Sequence, residues 1–470
     1  MTYQRVSAAI LQELRKICGE ENVFVDPEKM EAYSHDETPA QDYGHMPEVV
    51  TTPTTTSSVA EILKLANREM IPVTPRGAGS GLSGGAIPVY GGIVLSVEKM
   101  NRIIEVDYDN MMLVVEPGVV TNDINDLVGE RGLFFAGYPM SLETCFVGGN
   151  IAENAGGGKA VKYGVTGQYI TGMELVTPTG EVIELGGKII KDVSGYDLKK
   201  LIIGSEGTLG IVTKSTIRLT PKPKEKTVLL VLFADIEGAI SMVPKIMTGA
   251  GIIPTSIEFM DQLSVHTSCK YLNEQLPYQD AGSMLLIEVD GSTRERVDED
   301  AEVIGEMCFD GGALEVYVAD NYTTQERVWS VRRNIAEAFK VYSPEQSLED
   351  IVVPVNAIVE LMRRVNEISE KYKIQMPSYG HAGDGNLHTT LVKPPEWSHE
   401  EWRKIEEQIL RELYREVRRL GGKLSGEHGI GSKRKTFFQD FINESELMLI
   451  KKIKSAFDPK GIMNPGKIVD

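Results

Sequence analysis

Pro75-Arg76-Gly77-Ala78-Gly79-Ser80-Gly81-Leu82-Ser83-Gly84-Gly85 follows Ile71-Pro72-Val73-Thr74, so a strand-like run opens straight into a glycine-dense loop. Such a loop can turn successive backbone amides toward a pyrophosphate, because no Cβ blocks the approach. Gly148-Gly149-Asn150 with Asn154-Ala155-Gly156-Gly157-Gly158 forms a second loop of this kind, and Gly204-Ser205-Glu206-Gly207-Thr208-Leu209-Gly210 a third. One glycine-rich loop is weak evidence, since glycines often serve only turns. Three in succession point to a large nucleotide lying across several loops.

The loops are not those of a Rossmann fold. Residues 77–82 match Gly-x-Gly-x-x-Gly only in part, and no unit of ~30 residues ending in a ribose-binding acid surrounds them. No Gly-Lys-Ser/Thr follows a Gly-x4 frame, so a Walker A loop is missing as well. Between the loops, β-branched runs at 93–97, 112–116, 173–176 and 210–213 predict strands, while 59–68 and 121–131 carry helical periodicity. The first part of the chain therefore reads as α/β. A proline-punctuated boundary, Thr220-Pro221-Lys222-Pro223-Lys224-Glu225-Lys226, closes it. Beyond lies a second α+β region with strands at 228–233 and 284–289 and charged helices at 294–307 and 400–420.

At 470 residues the chain exceeds the ~250–300 that one core sustains, so at least two domains are expected. A net charge of −19 argues against nucleic acid and against an anionic membrane surface, both of which demand clustered lysine and arginine. Cys18, Cys145, Cys269 and Cys308 are too far apart for a Cys-x-x-Cys or iron–sulfur site, and reduced thiols are the simplest reading. No apolar run approaches ~18 residues, and residues 6–17 have helical spacing without a signal-type core. A cytoplasmic setting is the expectation.

Two further motifs carry chemistry: His381-Ala382-Gly383-Asp384-Gly385-Asn386-Leu387-His388 and Glu427-His428-Gly429-Ile430-Gly431. Three of the seven histidines fall within them. Borderline cations such as zinc, ferrous iron or manganese take imidazole nitrogen together with carboxylate oxygen, and a catalytic site keeps one position open. His381, His388 and Glu427 meet that demand, although a histidine pair serves structure more often than metal. Residues 383–386 predict a tight turn between two extended segments, which would point both imidazoles into one cleft.

Seven motifs stand here in order: residues 75–85, Glu116-Pro117-Gly118, Gly148-Gly149-Asn150, Gly195-Tyr196-Asp197-Leu198-Lys199-Lys200, residues 204–210, residues 380–388, and residues 427–431. Taken together they resemble the FAD-linked D-2-hydroxyacid dehydrogenases of the vanillyl-alcohol oxidase flavoprotein superfamily, over nearly the whole chain from about residue 47 to Asn464-Pro465-Gly466. That group includes D-lactate dehydrogenases, D-2-hydroxyglutarate dehydrogenases and glycolate oxidase flavoprotein subunits. The resemblance implies an α+β protein. An FAD-binding domain of two α/β subdomains would span 1–222, and a cap domain with an antiparallel sheet and helices would span 223–422. Residues 423–470 would return to the FAD domain and complete the active site.

The resemblance also implies roles. Pro75, Arg76, Gly77, Ala78, Gly79, Ser80, Gly81 and Ser83 would line the flavin site, joined by Pro139, Gly148, Gly149, Asn150, Ala155, Gly156, Gly207, Ile211 and Asn464. Relatives that attach FAD covalently often carry a histidine in the first loop; Ser80 here implies non-covalent FAD. His381, His388 and Glu427 become ligands of a divalent ion, and His428 the catalytic base. Arg332, in Val328-Trp329-Ser330-Val331-Arg332-Arg333, falls on the substrate-carboxylate arginine, whose planar guanidinium can grip a carboxylate in bidentate fashion. Tyr196 and Asp197 are expected to support the FAD-domain fold.

The implied reaction oxidises a small D-2-hydroxy acid to its 2-oxo acid, with hydride passing to flavin N5. Ala336, Ala338 and Phe339 follow Arg332 and offer nothing to a second carboxylate, although Lys340 and Tyr342 stand further on. D-lactate is favoured, with glycolate or D-2-hydroxyglutarate as alternatives. A non-hydroxyacid flavin oxidase of the same superfamily would lack the two histidine motifs. With no iron–sulfur motif in the chain, electrons must leave to a partner. An electron-transferring flavoprotein comes first among the family's acceptors, with bifurcation to NAD and ferredoxin as one form of that coupling.

Overall fold

Thr55 accepts a hydrogen bond from Ser58 N and starts the helix Thr56–Glu69, whose Val59, Ile62, Leu63 and Ala66 are spaced to bury one face. Met70 ends the helix in the left-handed conformation. The computed structural model describes residues 2–276 and 281–469. They group into two compact units, Met1–Gly156 with Val165–Lys222 and Glu427–Asp470, and Gly157–Gly164 with Pro223–Gly426.

The first unit contains two main sheets. Its four-stranded sheet runs in the order Val23–Phe24, Val49–Thr51, Ile93–Ser96, Val73–Arg76, and the last three strands pair in parallel. The helices Ala8–Cys18 and Thr56–Glu69 share one apolar core with these strands. The five-stranded antiparallel sheet runs Ile103–Asp107, Met112–Val115, Ile211–Arg218, Ile170–Val176, Val182–Gly186. Burial along Ile211–Arg218 alternates strictly, as a sheet with one covered face requires. After the helix Glu444–Phe457, the C-terminal segment lies beside Val73, which pairs in parallel with Met463. The chain end thereby props the strand that launches the first glycine loop.

The second unit is built on a seven-stranded, wholly antiparallel sheet. Its order is Glu315–Ala319, Glu225–Phe233, Ser283–Gly291, Ser256–Asp261, Ser378–His381, Asn386–Val392, Gln346–Val352. Val228, Leu230, Met260, Met284, Leu286 and Tyr379 pack with Val328, Trp329 and Val331 of the helix Tyr322–Arg333. The helix expected at 400–420 is His399–Arg419, started by a complete Ser398/Glu401 capping box.

The units do not divide the chain where sequence alone drew the boundaries. Residues 157–164, expected within the first domain, group with the second unit, and the return to the first unit falls at Glu427 instead of 423. The reason is electrostatic: Lys162 Nζ and Tyr163 OH both donate to Asp290, and Lys159 Nζ lies 3.4 Å from Glu288 Oε1, so this short segment is pinned to a strand of the large sheet.

Candidate active site

Within the first unit, glycine is required where the loops meet each other. Gly207 has φ +66°, and a Cβ there would stand 2.4 Å from Pro75 Cγ, so the third loop closes on the first only because that atom is missing. A Cβ on Gly148 would meet Pro117 Cβ at 2.7 Å, whereas one on Gly149 would meet nothing within 4 Å. The three loops thus enclose a cleft of about 1440 Å³, counting the solvent at its mouth. Every residue expected in the flavin site except Asn464 lines it. Backbone amides free of side chains along a long cleft suit a dinucleotide with its pyrophosphate, so the residues present fit FAD. Asn464 is buried elsewhere: its Nδ2 donates to Gly85 O at 2.9 Å and Glu206 O at 2.7 Å, tying loops together. The Arg76 guanidinium likewise holds structure, donating to His35 O and Ala32 O.

Three acids line the same cleft and had no signal in the glycine pattern: Asp36, Glu153 and Glu206. Burial, then the neighbouring Glu206 and Asp36, push the Glu153 carboxyl well above the usual range. Burial also raises Glu206, against the pull of the Ile430 and Gly431 N–H groups it accepts. Glu427 and His428 line this cleft too, partly buried, with His428 Nε2 3.8 Å from Glu427 Oε1. The C-terminal motif therefore belongs to the wall of the glycine-loop cleft.

Within the second unit, register does what the spacing of the first histidine motif hinted. The strands Ser378–His381 and Asn386–Val392 pair with His381 opposite Asn386 and Tyr379 opposite His388, so residues 379, 381 and 388 share one face. His381 also stands opposite Glu258 on its other side, and His388 opposite Asp350. Each buried histidine thus has a fully buried carboxylate as its cross-strand neighbour. His381 Nδ1 lies 2.7 Å from Glu258 Oε1; His388 Nδ1 lies 3.7 Å from Asp350 Oδ1. The two imidazole centroids are 5.4 Å apart.

Glu258 serves a second partner. Arg332 Nε donates to Glu258 Oε2 at 2.7 Å, and its Nη2 lies 2.6 Å from the same oxygen, with the guanidinium 5.0 Å from the Tyr379 ring centroid. Burial would push the Glu258 carboxyl up, but the charges of His381 and Arg332 outweigh it and hold the carboxyl below the ordinary range. An ionised carboxylate only accepts, so the His381 Nδ1 that faces Glu258 carries a hydrogen. The bidentate grip expected of Arg332 is accordingly altered, since part of its fork already faces Glu258.

Asp350 is fixed as well. Its Oδ1 accepts from Asn386 Nδ2 at 2.6 Å and its Oδ2 from Gly426 N at 3.0 Å and from Ser425 Oγ. Glu427 is the next residue in the chain. Two imidazoles, one hydrogen-bonded to a carboxylate and the other 3.7 Å from one, form a donor set of the kind that divalent cations of the zinc, iron and manganese class accept. Glu258 and Asp350 escaped sequence reasoning; the one available signal was an acid inside each strand-like run, single in Ile257-Glu258-Phe259-Met260 and paired in Leu348-Glu349-Asp350-Ile351.

Residues 222–468 match the family described as FAD linked oxidases, C-terminal domain, and residues 47–186 match an FAD binding domain. The chain belongs to the FAD-linked oxidase family. Within it the chain is of the D-2-hydroxyacid dehydrogenase type and is an FAD-linked oxidoreductase. It is 38% identical over 463 residues to the glycolate oxidase subunit GlcD of Bacillus subtilis, covering 98% of this chain and 97% of that one. A D-lactate dehydrogenase of Archaeoglobus fulgidus is 40% identical over 441 residues, covering 93% and 96%. The crystal structure of a p-cresol methylhydroxylase with substrate bound superposes with a TM-score of 0.81 at 20% identity, covering 98% and 96%, and shares the fold. The α+β, two-subdomain flavin architecture expected from the sequence is thereby established.

Other expectations need correction or placement. Tyr196 is 96% exposed and supports no core, while Asp197 pairs with Lys199 at 3.0 Å beside the short helix Leu198–Ile202. Lys340 Nζ lies 2.9 Å from Glu337 Oε1, and Tyr342 OH donates to Gln375 Oε1, both at the exposed end of the helix Ile335–Tyr342. All four cysteines are free thiols. Among the described residues no helix is long and apolar enough to cross a membrane.

Proposed function

We propose that this FAD-linked oxidoreductase oxidises a small D-2-hydroxy acid, D-lactate before glycolate, to its 2-oxo acid, with a divalent ion bound by His381, His388 and Glu427. The observation supporting this reading is that Glu427 and His428 line the cleft walled by the three glycine loops. Bound FAD supplies the acceptor for the hydride from Cα. A bound cation of this class lowers the pKa of a coordinated hydroxyl. His428 then receives the hydroxyl proton at Nε2, the nitrogen facing Glu427. Arg332, steadied by Glu258, holds the substrate carboxylate with its remaining N–H groups. The monocarboxylate preference is supported by Lys340 and Tyr342 having partners at an exposed helix end.

Reoxidation falls to a separate protein, a soluble electron-transferring flavoprotein by preference, including the form that bifurcates to NAD and ferredoxin. The support is the chain's lack of any iron–sulfur cysteine motif and its acidic charge of −19. FAD bound without a covalent link leaves a yellow supernatant after trichloroacetic acid precipitation; a yellow pellet contradicts it.

The test is anaerobic. D-lactate, L-lactate, glycolate and D-2-hydroxyglutarate are added in turn to the FAD-replete protein, before and after chelation. Bleaching of the visible flavin band by D-lactate, lost on chelation and restored by a divalent ion, is the expected result. Equal efficiency with D-2-hydroxyglutarate overturns the substrate assignment, and bleaching that survives complete metal removal overturns the metal.

A further inference from the structure

We infer that Glu206 is the positioning residue for His428, registering the base-bearing loop to the flavin cleft; the inference rests on the reading of His428 as base. The first unit holds all the parts. Glu206 belongs to the third glycine loop, and its own backbone is fixed from two sides, by its N–H to Ala152 O at 2.8 Å and by Asn464 Nδ2 to its carbonyl at 2.7 Å. It holds φ +51°, a conformation a non-glycine residue adopts at some cost. From that fixed base its two carboxylate oxygens accept two consecutive peptide N–H groups, Ile430 N at 2.7 Å and Gly431 N at 2.6 Å.

The loop it grips has little freedom left. Gly429 has φ +84°, and a Cβ there would stand 2.0 Å from Glu153 Oε2 and 3.1 Å from Glu206 Oε1. Gly431 has φ +55°, and its Cβ would strike Ser83 O at 2.0 Å. His428 is therefore followed by three residues whose backbone is clamped between the first loop, through Ser83, and the third, through Glu206. Both of those loops line the cleft that His428 itself lines. A carboxylate accepting two successive N–H groups fixes two adjacent peptide planes relative to one another, which one acceptor oxygen does not. Glu206 so ties the place of the imidazole to the loops that hold the cofactor, without touching the reacting atoms.

The experiment compares Glu206→Gln, Glu206→Asp, His428→Ala and the double variant Glu206→Gln/His428→Ala, each as FAD-saturated protein. In Glu206→Gln one acceptor becomes an NH2 group facing a peptide N–H, so the loop shifts while side-chain volume stays. Flavin content and thermal midpoint are measured first, then anaerobic flavin reduction by D-lactate across pH. The expected result is a fall of about 10²-fold in the reduction rate at saturating substrate, with KM little changed and a displaced pH profile. Glu206→Asp should recover part of the rate. In the His428→Ala background, Glu206→Gln should cost no further rate, because its effect runs through the imidazole. An unchanged pH profile and rate in Glu206→Gln, or a loss that adds in full to that of His428→Ala, overturns the inference. Undiminished reduction in His428→Ala alone overturns instead the reading of His428 as base.

Discussion

Glu258 stands directly across a strand pair from His381, takes its Nδ1 hydrogen at 2.7 Å, and through its other oxygen receives Arg332 Nε at 2.7 Å. One buried carboxylate therefore fixes the tautomer of a proposed metal ligand and the position of the proposed substrate arginine at once. Gly158 marks how tightly the trio is packed, for a Cβ there would meet Glu258 Oε1 at 2.8 Å and His381 Nδ1 at 3.5 Å.

Replacing Glu258 by Gln should loosen both partners. The amide keeps one acceptor and turns a donor toward two groups that donate, leaving the Arg332 charge buried without its counterion. Loss of one member of a buried pair costs about 3–5 kcal/mol, and loss of an outer carboxylate weakens a metal site by about 10–100-fold. The expected outcome is a lower thermal midpoint and metal lost on dialysis, with flavin content retained. Metal content equal to that of the wild type after dialysis would sink the assigned role.

Arg332→Lys and Arg332→Met separate charge from shape. Lysine preserves a cation beside Glu258, so it should fold more stably than the methionine variant, yet it lacks the planar fork that steadies a carboxylate. We expect KM for D-lactate to rise in both, and kcat/KM in the lysine variant to fall by about 10²-fold, corresponding to ~3 kcal/mol of lost transition-state stabilisation. Steady-state kinetics with an artificial acceptor measure it, and unchanged KM in both variants refutes substrate contact.

Gly207→Ala should separate the first and third loops, since the added carbon meets Pro75 Cγ at 2.4 Å in a backbone held at φ +66°. Gly132→Ala provides the control: it has φ +69° with nothing within 4 Å, so it carries the strain of about 1 kcal/mol without a clash. Flavin retained after gel filtration should drop for Gly207→Ala and hold for Gly132→Ala. Equal retention by the two would remove the loop-closure account.

Lys467 is fully buried, with Nζ donating to Ile87 O at 2.6 Å, and burial lowers its pKa to about 7 in spite of the neighbouring Glu206 and Asp36. The folded value lies below the unfolded one, so between the two the unfolded chain binds the extra proton and stability from this residue rises with pH. Below pH ~7 both states are protonated and the contribution is flat. Relative to Lys467→Met, the wild type should gain up to about 1.4 kcal/mol per pH unit between pH 7 and 9. Denaturant midpoints at a series of pH values read this directly; parallel curves for the two proteins would exclude the buried neutral amine.

Much of the site was legible because its carriers are local. The 204–210 loop and the 75–85 loop need glycine where a Cβ would collide, and His381 and His388 flank a turn whose extended arms follow from Gly383, Asp384 and Gly385. Asn464 lies in a motif of the right type, but its side chain spans the carbonyls of Gly85 and Glu206, behind two residues that line the cleft. Tyr196 misled, an aromatic in a recognisable motif whose ring faces solvent.

The sequence by itself determined the class of cofactor and part of the succession of strands and helices, because glycine geometry and periodicity are written in neighbouring residues; the residues proposed as base, ligands and anion grip followed from the family resemblance. The tertiary structure alone decided that Glu258 would face His381, that Asp350 would face His388, and that Glu206 would accept the amides of Ile430 and Gly431 more than two hundred positions later. Those pairings depend on strand register and on loops meeting across the fold. A carboxylate 123 residues from its histidine has no local periodicity to announce it, and only the burial that forbids leaving either group unpaired brings the two together.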